Sequence, residues 1–385
     1  MISIIILLIS YFAAEYFLCA YRRDKIKIRV LVNGTRGKSS VVRLINAGLR
    51  QAGIRSIAKV SGTEARLIYP DGSEKKIVRI GHANIIEQVK FIREAWACRA
   101  EAMVMEVMAL VPHYQWLTEH KIFKSTIGVI TNIRADHLDV MGPKLDQVAE
   151  AICGTIPQNG VLISAEQPLA GLIKEKALNL NTEVKFASGS KITDAMMQPF
   201  SYLEHRDNVA CALEVCKHLG IEENLALNGM HQALPDPGVL RTFYVQAQNK
   251  KFEFINAFSA NDPVSTFVIW RRVEKKFVPE QTKIVLINGR KDRLARSVQL
   301  GEFAVSDLPL DYLVLTGAGT SHMEQKAIQH GFNPAKIFNM ARCIPEQIFK
   351  KVMELIPTHG VVFAAGSIGG GGMEIVDYFD WRRNG

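Results

Sequence analysis

Apolar and polar positions along this chain change rhythm twice. Residues 2–20 are apolar almost without a break, and the run is apolar on every face of a helix. At about 1.5 Å per residue such a helix spans about 30 Å, the thickness of a bilayer core. Glu15 is the one charge inside it, and Arg22, Arg23, Lys25, Lys27 and Arg29 follow at once. Basic flanks stay on the cytoplasmic side. The pattern therefore predicts a single-pass transmembrane anchor over residues 1–21, in the cell membrane, with the rest of the chain cytoplasmic. A cleaved signal peptide wants basic residues before the apolar run and small residues at a cut site. No Lys or Arg precedes this run, and Phe17-Leu18-Cys19 is a poor site.

From Ile28 the rhythm becomes that of an α/β protein. Ile28 to Val32 is a short β-branched run, as in a buried parallel strand. A glycine-rich loop follows, and then Val41, Val42, Leu44, Ile45 and Leu49 recur at helical spacing, with Gly53 closing the helix. Further strands are expected over 102–107, 125–132, 161–164 and 184–187, with a helix through 209–219. Alternation of strand and helix implies a parallel, doubly wound sheet. It restarts near Thr242, with strands expected at 251–258, 283–288, 312–316 and 361–365. The fold class is α/β: a P-loop parallel-sheet ATPase domain over 22–241 and a smaller Rossmann-like domain over 242–385.

The loop Asn33-Gly34-Thr35-Arg36-Gly37-Lys38-Ser39-Ser40 carries the clearest chemistry. Glycines let backbone N–H groups turn toward phosphate oxygens, and a helix N-terminus adds partial positive charge. Lys38 is placed to reach the terminal phosphates and Ser39 to put its hydroxyl on Mg²⁺. The spacing is shorter than the general phosphate-loop pattern, since Val32 stands where a glycine is expected.

Other groups are weaker on their own. Glu106 ends the second predicted strand; ligands gather at the carboxyl ends of such strands, but a surface glutamate is an equal reading. Asp136, His137 and Asp139 follow the third strand and make a cation site or a capped surface turn; Mg²⁺ prefers oxygen donors. Gly289-Arg290-Lys291-Asp292-Arg293 reads more readily as a solvated loop than as a carboxylate site. Gly366–Gly372 reads equally as an anion cradle, a hinge or a tight turn.

Composition narrows the classes. The 385 residues are 48% hydrophobic and 22% charged, with a net charge of +9. That length favours two domains, and no segment reads as a repeat or as disordered. The positive charge suits an anionic partner, but the basic residues are scattered without an aromatic platform, so nucleic acid is not expected. Six cysteines without a C-x-x-C pair form neither a zinc pattern nor a disulfide framework.

Taken in order, these segments resemble the Mur ligase superfamily, and within it the ligase subunit of poly-γ-glutamate synthase (PgsB/CapB type). G-T-R-G-K-S at 34–39 resembles its phosphate loop, and Ser61-Gly62-Thr63 its T-G-T element. Glu106 matches its Mg²⁺-binding glutamate. Asn132 with Asp136-His137-Leu138-Asp139 matches a segment whose histidine binds a second Mg²⁺. Asp207-Asn208 resembles the segment whose asparagine touches adenine. Pro237-Gly238-Val239-Leu240-Arg241 resembles the one carrying a nucleotide-contacting arginine. The directly preceding apolar helix, Met108-Ala109-Leu110-Val111-Pro112, Asp139-Val140-Met141-Gly142-Pro143 and Phe258-Ser259-Ala260-Asn261-Asp262 point to the synthase subunit. Two departures stand out: Ile152 occupies the position of a carbamylated lysine common in the family, and Ala257-Phe258-Ser259-Ala260 replaces D-Y-A-H, so that the acid comes later as Asp262.

The resemblance implies an active site in a cleft between the domains. MgATP would phosphorylate the γ-carboxylate of glutamate or of a growing poly-γ-glutamate chain, and the amine of another glutamate would attack the acyl phosphate. It also implies the site residues. Lys38, Glu106, His137 and Arg241 would be catalytic. Asn33 to Ser40, Asn208, Arg241 and Asp262 would bind ATP, and Ser39, Glu106 and His137 would hold Mg²⁺. Integral membrane partner subunits are expected, and a homo-oligomer is compatible. A folylpolyglutamate-like ligase and a membrane-tethered regulatory P-loop ATPase are the alternatives.

Overall fold

The computed structural model describes residues 2–62, 64–79, 83–200, 202, 204–235, 240–247, 249–258, 263–291 and 294–382. Two compact units divide the chain, residues 1–200 with 204–236, and residues 237–385 with 201–203.

The first unit is built on eight strands: β1 (Ile28–Asn33), β2 (Ser56–Val60), β3 (Arg66–Ile68), β4 (Glu74–Lys76), β5 (Ala102–Glu106), β6 (Ile127–Ile130), β7 (Val161–Ser164) and β8 (Glu183–Phe186). Their order is β4-β3-β2-β5-β1-β6-β7-β8. Along the order from β2 to β8 every pair is parallel, and the pairs β2–β3 and β3–β4 are antiparallel, so β3 alone is reversed. The central strands read as continuous apolar runs because helices cover both faces. Phe91 and Ile92 pack with Leu31, Met103 and Met105 on one side. Val41, Val42, Leu44 and Ile45 of the helix after β1 are likewise fully buried.

The helices that frame the site are α1 (Ile2–Lys25), α2 (Lys38–Gln51), α3 (Ile86–Ala97), α4 (Pro112–Leu117), α5 (Leu138–Met141) and α6 (Leu145–Cys153). A π-helical turn, Thr118–Phe123, extends α4. The last turns of α1 rest on this unit: Cys19 packs against its core, Arg23 is buried and donates to the carbonyl of Ile122 at 3.2 Å, and Tyr21 meets Trp96 edge-on. Farther out, apolar side chains of α1 stand free, with Ile4 65%, Leu7 70% and Phe17 68% exposed. Among the described residues no helix is long and apolar enough to cross a membrane. The side chains at positions 2 and 5 lie outside the description, and the remaining stretch of α1 from residue 6 to 25 carries Glu15, Arg22, Arg23, Asp24 and Lys25.

The second unit has six strands, β9 (Arg241–Ala247), β10 (Lys250–Asn256), β11 (Thr282–Gly289), β12 (Tyr312–Gly317), β13 (Ile337–Asn339) and β14 (His359–Gly366). The order is β13-β12-β11-β14-β10-β9, parallel except for the β9–β10 hairpin. Two apolar clusters, one around Phe252, Phe254 and Phe379 and one around Trp270, Phe363 and Leu315, are built on these strands. Arg241, expected to end the first domain, instead begins β9 of the second unit.

Candidate functional site

The phosphate loop links β1 to α2, in the middle of the first sheet, at the carboxyl ends of the strands. β1 lies between β5 and β6, so the segments leaving both neighbours flank the loop. Asn132, just past β6, grips it twice: its Oδ1 accepts from the Arg36 amide at 3.1 Å and its Nδ2 donates to the Arg36 carbonyl at 3.0 Å. The Thr35 amide donates to the Asn132 carbonyl at 2.9 Å, and Thr131 Oγ1 donates to the Arg36 carbonyl at 2.7 Å. Amides 34, 35 and 36 are thus committed within the protein. The outward donors are those of the first turn of α2, which has no intrahelical partners for them, so an anion would meet a helix N-terminus. Gly37 caps that helix with φ +83°, and a Cβ there would lie 2.5 Å from Asn208 Oδ1.

Lys38 folds back over the loop and donates to the Gly34 carbonyl at 2.6 Å and more weakly to that of Thr35 at 3.4 Å. Burial pushes its pKa down, and the Glu106 carboxylate works against that shift. Glu106 is 4% exposed. Its Oε2 accepts from Ser39 Oγ at 2.8 Å and from the Ser61 amide at 2.7 Å. Three segments separated in sequence, the loop, the end of β5 and Ser61-Gly62, therefore converge on one carboxylate. A carboxylate beside a hydroxyl is a hard oxygen donor set and fits Mg²⁺.

His137 is held within its own segment. It caps the short α5 with φ +49°, its amide donates to Asp136 Oδ1 at 3.0 Å, and its ring lies 4.0 Å from the same carboxylate with 43% of the side chain exposed. Asp136 reaches the loop through Arg36, at 3.2 Å. Among the described residues no three His, Cys, Asp or Glu side chains gather as a metal site, so Glu106 and His137 are not brought together as a ready-made pair of ligands with a third. The Ile152 side chain is packed in the core, and its carbonyl accepts from Thr155 Oγ1 at 2.7 Å.

Several expected ligand contacts take another form. The Asn33 side chain points inward, donating to Gln115 Oε1 at 2.8 Å and Thr155 Oγ1 at 3.0 Å while accepting from the Gly34 amide at 2.8 Å. It shapes the loop from behind. Asn208 is also buried behind the loop and donates to Glu204 Oε1 at 2.7 Å. Ser40 lies beside the same Glu204, whose carboxyl is raised in pKa by burial, with Asn208 and the His205 amide opposing. Arg241, in the second unit, pairs with Asp380 at 3.2 Å and lies over the Phe243 ring. Asp262 and Pro237-Gly238-Val239 fall outside the described residues.

Sequence reasoning missed Gln115, Thr155 and Glu204. Each acts through a hydrogen bond to a loop-supporting asparagine, and Gln115 lies 82 positions from Asn33. In the second unit, Asn288 donates to the carbonyls of Ser367 at 2.6 Å and Gly369 at 3.0 Å. That makes 366–372 a pinned turn.

Fold and site together define an ATP-dependent amide ligase of the Mur type. The Mur ligase middle domain model matches residues 32–234. MurF of Acinetobacter baumannii superposes with a TM-score of 0.68 at 18% identity, covering 95% of this chain and 80% of that one. E. coli FolC in complex with DHPP and ADP superposes at 0.63 and 16% identity, over 96% and 93%. The second unit is more particular: the poly-gamma-glutamate synthase CapB C-terminal domain model matches residues 242–382. "PGA synthase CapB" of Bacillus subtilis (strain 168) is 36% identical over 92% of this chain and 90% of its own length. "Capsule biosynthesis protein CapB" of Bacillus anthracis is 36% identical over 92% and 77%. The chain belongs to the CapB family of poly-gamma-glutamate synthases.

Proposed function

We propose that this protein makes poly-γ-glutamate by joining glutamate units through γ-amide bonds at the expense of ATP. The observation that carries the reading is Glu106, held by Ser39 and the Ser61 amide beside the half-buried Lys38. Family membership supplies the substrate class.

A γ-carboxylate oxygen attacks the terminal phosphorus of ATP, and ADP leaves. The amine of a second glutamate then attacks the acyl carbon; phosphate departs and the amine loses a proton. Lys38 and the first-turn amides of α2 offset charge on the transferred phosphoryl group. Glu106 and Ser39 are the residues that would hold Mg²⁺, which would supply further charge neutralisation there. No side chain acts as a nucleophile, so positioning and electrostatics carry the rate.

We further propose that α1 inserts into a membrane and that apolar partner subunits surround it. Its free apolar side chains would otherwise face water at about 25 cal/mol per Å², and a contiguous apolar surface of this kind marks a lipid or protein contact. The test is membranes containing the full chain, supplied with ATP and each amino acid in turn. ADP release that requires glutamate and accompanies polymer is expected. Equal ADP release without any amine acceptor would point to a mechanical ATPase instead.

A further inference from the structure

Lys59 is completely buried, a rare state for a lysine, and it is the next-to-last residue of β2, near the same edge of the sheet as the phosphate loop. In the ladder it is level with Met105, the residue before Glu106. Side chains alternate across a strand, so Lys59 emerges on the α3 face while Glu106 emerges toward α2. Its Nζ lies 3.4 Å from Glu87 Oε2 on α3 and 3.4 Å from the sulfur of Met108. Arg79 forks the same Glu87, at 2.6 and 3.0 Å, and its Nη2 comes within 4.0 Å of the same sulfur. Met108 stands two residues past Glu106, in a segment with no regular structure. The cations of Lys59 and Arg79 therefore grip the chain just after the carboxylate that Ser39 and Ser61 grip from the other face.

Stability alone gives no reason for this arrangement. Desolvating a charge trio costs several kcal/mol, and apolar residues of similar volume often serve a fold as well or better. Its place at the ligand edge of an open sheet gives another reason.

We propose that Lys59, Glu87 and Arg79 are positioning residues: the trio, with Lys59 as its buried member, holds Met108 and so fixes the turn from which Glu106 reaches the phosphate loop. The proposal rests on the reading of Glu106 as the carboxylate that holds the metal. It predicts that the trio acts on the metal requirement, as outer partners of metal ligands do.

The test compares Lys59→Met, Glu87→Gln and Glu106→Gln in the full chain. It reads the Mg²⁺ concentration giving half-maximal glutamate-dependent ADP release, together with the melting temperature. Lys59→Met should raise the Mg²⁺ requirement about tenfold, while the loss of one partner of Glu87 lowers the melting temperature. Glu87→Gln should shift it in the same direction by a smaller factor, and it carries the test if Lys59→Met fails to fold. Glu106→Gln should show the largest change. If Glu106→Gln raises the requirement but neither trio variant does, the proposal is overturned and the reading of Glu106 stands. A Lys59→Met protein that only melts lower, with an unchanged Mg²⁺ requirement, is equally fatal to it. If Glu106→Gln leaves the requirement unchanged, the reading of Glu106 fails and takes the proposal with it.

Discussion

Each sheet ends a central strand on a buried asparagine, Asn33 on β1 and Asn288 at the end of β11, yet the two amides are spent differently. Asn33 accepts from the Gly34 amide and donates away from the loop, to Gln115 and Thr155, and so braces the loop from behind. The first-turn amides of α2 stay outward, and Lys38, Ser39 and Glu106 collect in front of them. Asn288 bonds instead into the loop that follows the neighbouring strand β14, to the carbonyls of Ser367 and Gly369, with Thr316 Oγ1 donating to its Oδ1 at 3.0 Å. The same residue type thus braces the phosphate loop in one sheet and fastens a turn in the other. Position of the bonding partners, rather than the asparagine itself, decides which edge carries chemistry.

Changes at the two edges should therefore separate activity from stability. The largest effect is expected from Gly37→Ala. A methyl group there meets Asn208 and forces a left-handed backbone on alanine, at about 2–5 kcal/mol in all, and nucleotide binding should disappear with it. Its counterpart in the second unit, Gly371, also caps a helix in a left-handed conformation, but a Cβ there has nothing within 4 Å. Gly371→Ala should cost only the backbone term, about 1–2 kcal/mol. Thermal melts with and without ATP check both; a milder effect at Gly37 than at Gly371 would break the comparison.

Next comes the asparagine pair. Asn33→Ala leaves Gln115 Oε1 and the Gly34 amide without the partners they have here, at about 2–4 kcal/mol, and should weaken nucleotide binding. Asn288→Ala should lower denaturant stability similarly while isolated ATP binding stays near wild type. Isothermal titration of ATP into both variants distinguishes them, and equal loss of binding would count against the division of labour.

A smaller, pH-dependent effect belongs to the opposite edge of the first sheet. There Glu119 accepts from the amide and hydroxyl of Ser125, and burial raises its carboxyl to about 7, with the Ser125 bonds, Arg29 and Arg23 pulling the other way. A folded-state pKa above the unfolded one means that the folded protein binds the extra proton. Stability from this group is full below the unfolded value and is lost as pH rises toward about 7, by at most about 3 kcal/mol. Glu119→Gln should flatten that slope in urea melts between acidic and neutral pH; an unchanged slope would show that Glu119 is not its source.

The same contrast explains what the sequence revealed. The phosphate loop was legible because its glycines, lysine and serine are contiguous and sit between an apolar run and a helical repeat. Glu106 was legible as the acid that closes a buried strand. β2 was not, because Lys59 interrupts its apolar run, and the three-residue strands β3 and β4 are too short for any period to register. The inward turn of Asn33 was hidden as well, since its partners lie 82 and 122 positions away. Arg241 sits where a hairpin pairs it with β10, and tertiary pairing, not local pattern, sets that boundary.

The central claim is that a glutamate γ-carboxylate is activated as an acyl phosphate at the edge formed by Lys38, Ser39 and Glu106. Glutamate carrying oxygen-18 in its γ-carboxylate tests it most directly, by mass analysis of the phosphate released as polymer forms. The account predicts one labelled oxygen in each phosphate with the wild-type chain, and neither labelled phosphate nor polymer with Lys38→Ala. Polymer formed with unlabelled phosphate, or full labelling from a folded Lys38→Ala protein, would contradict it.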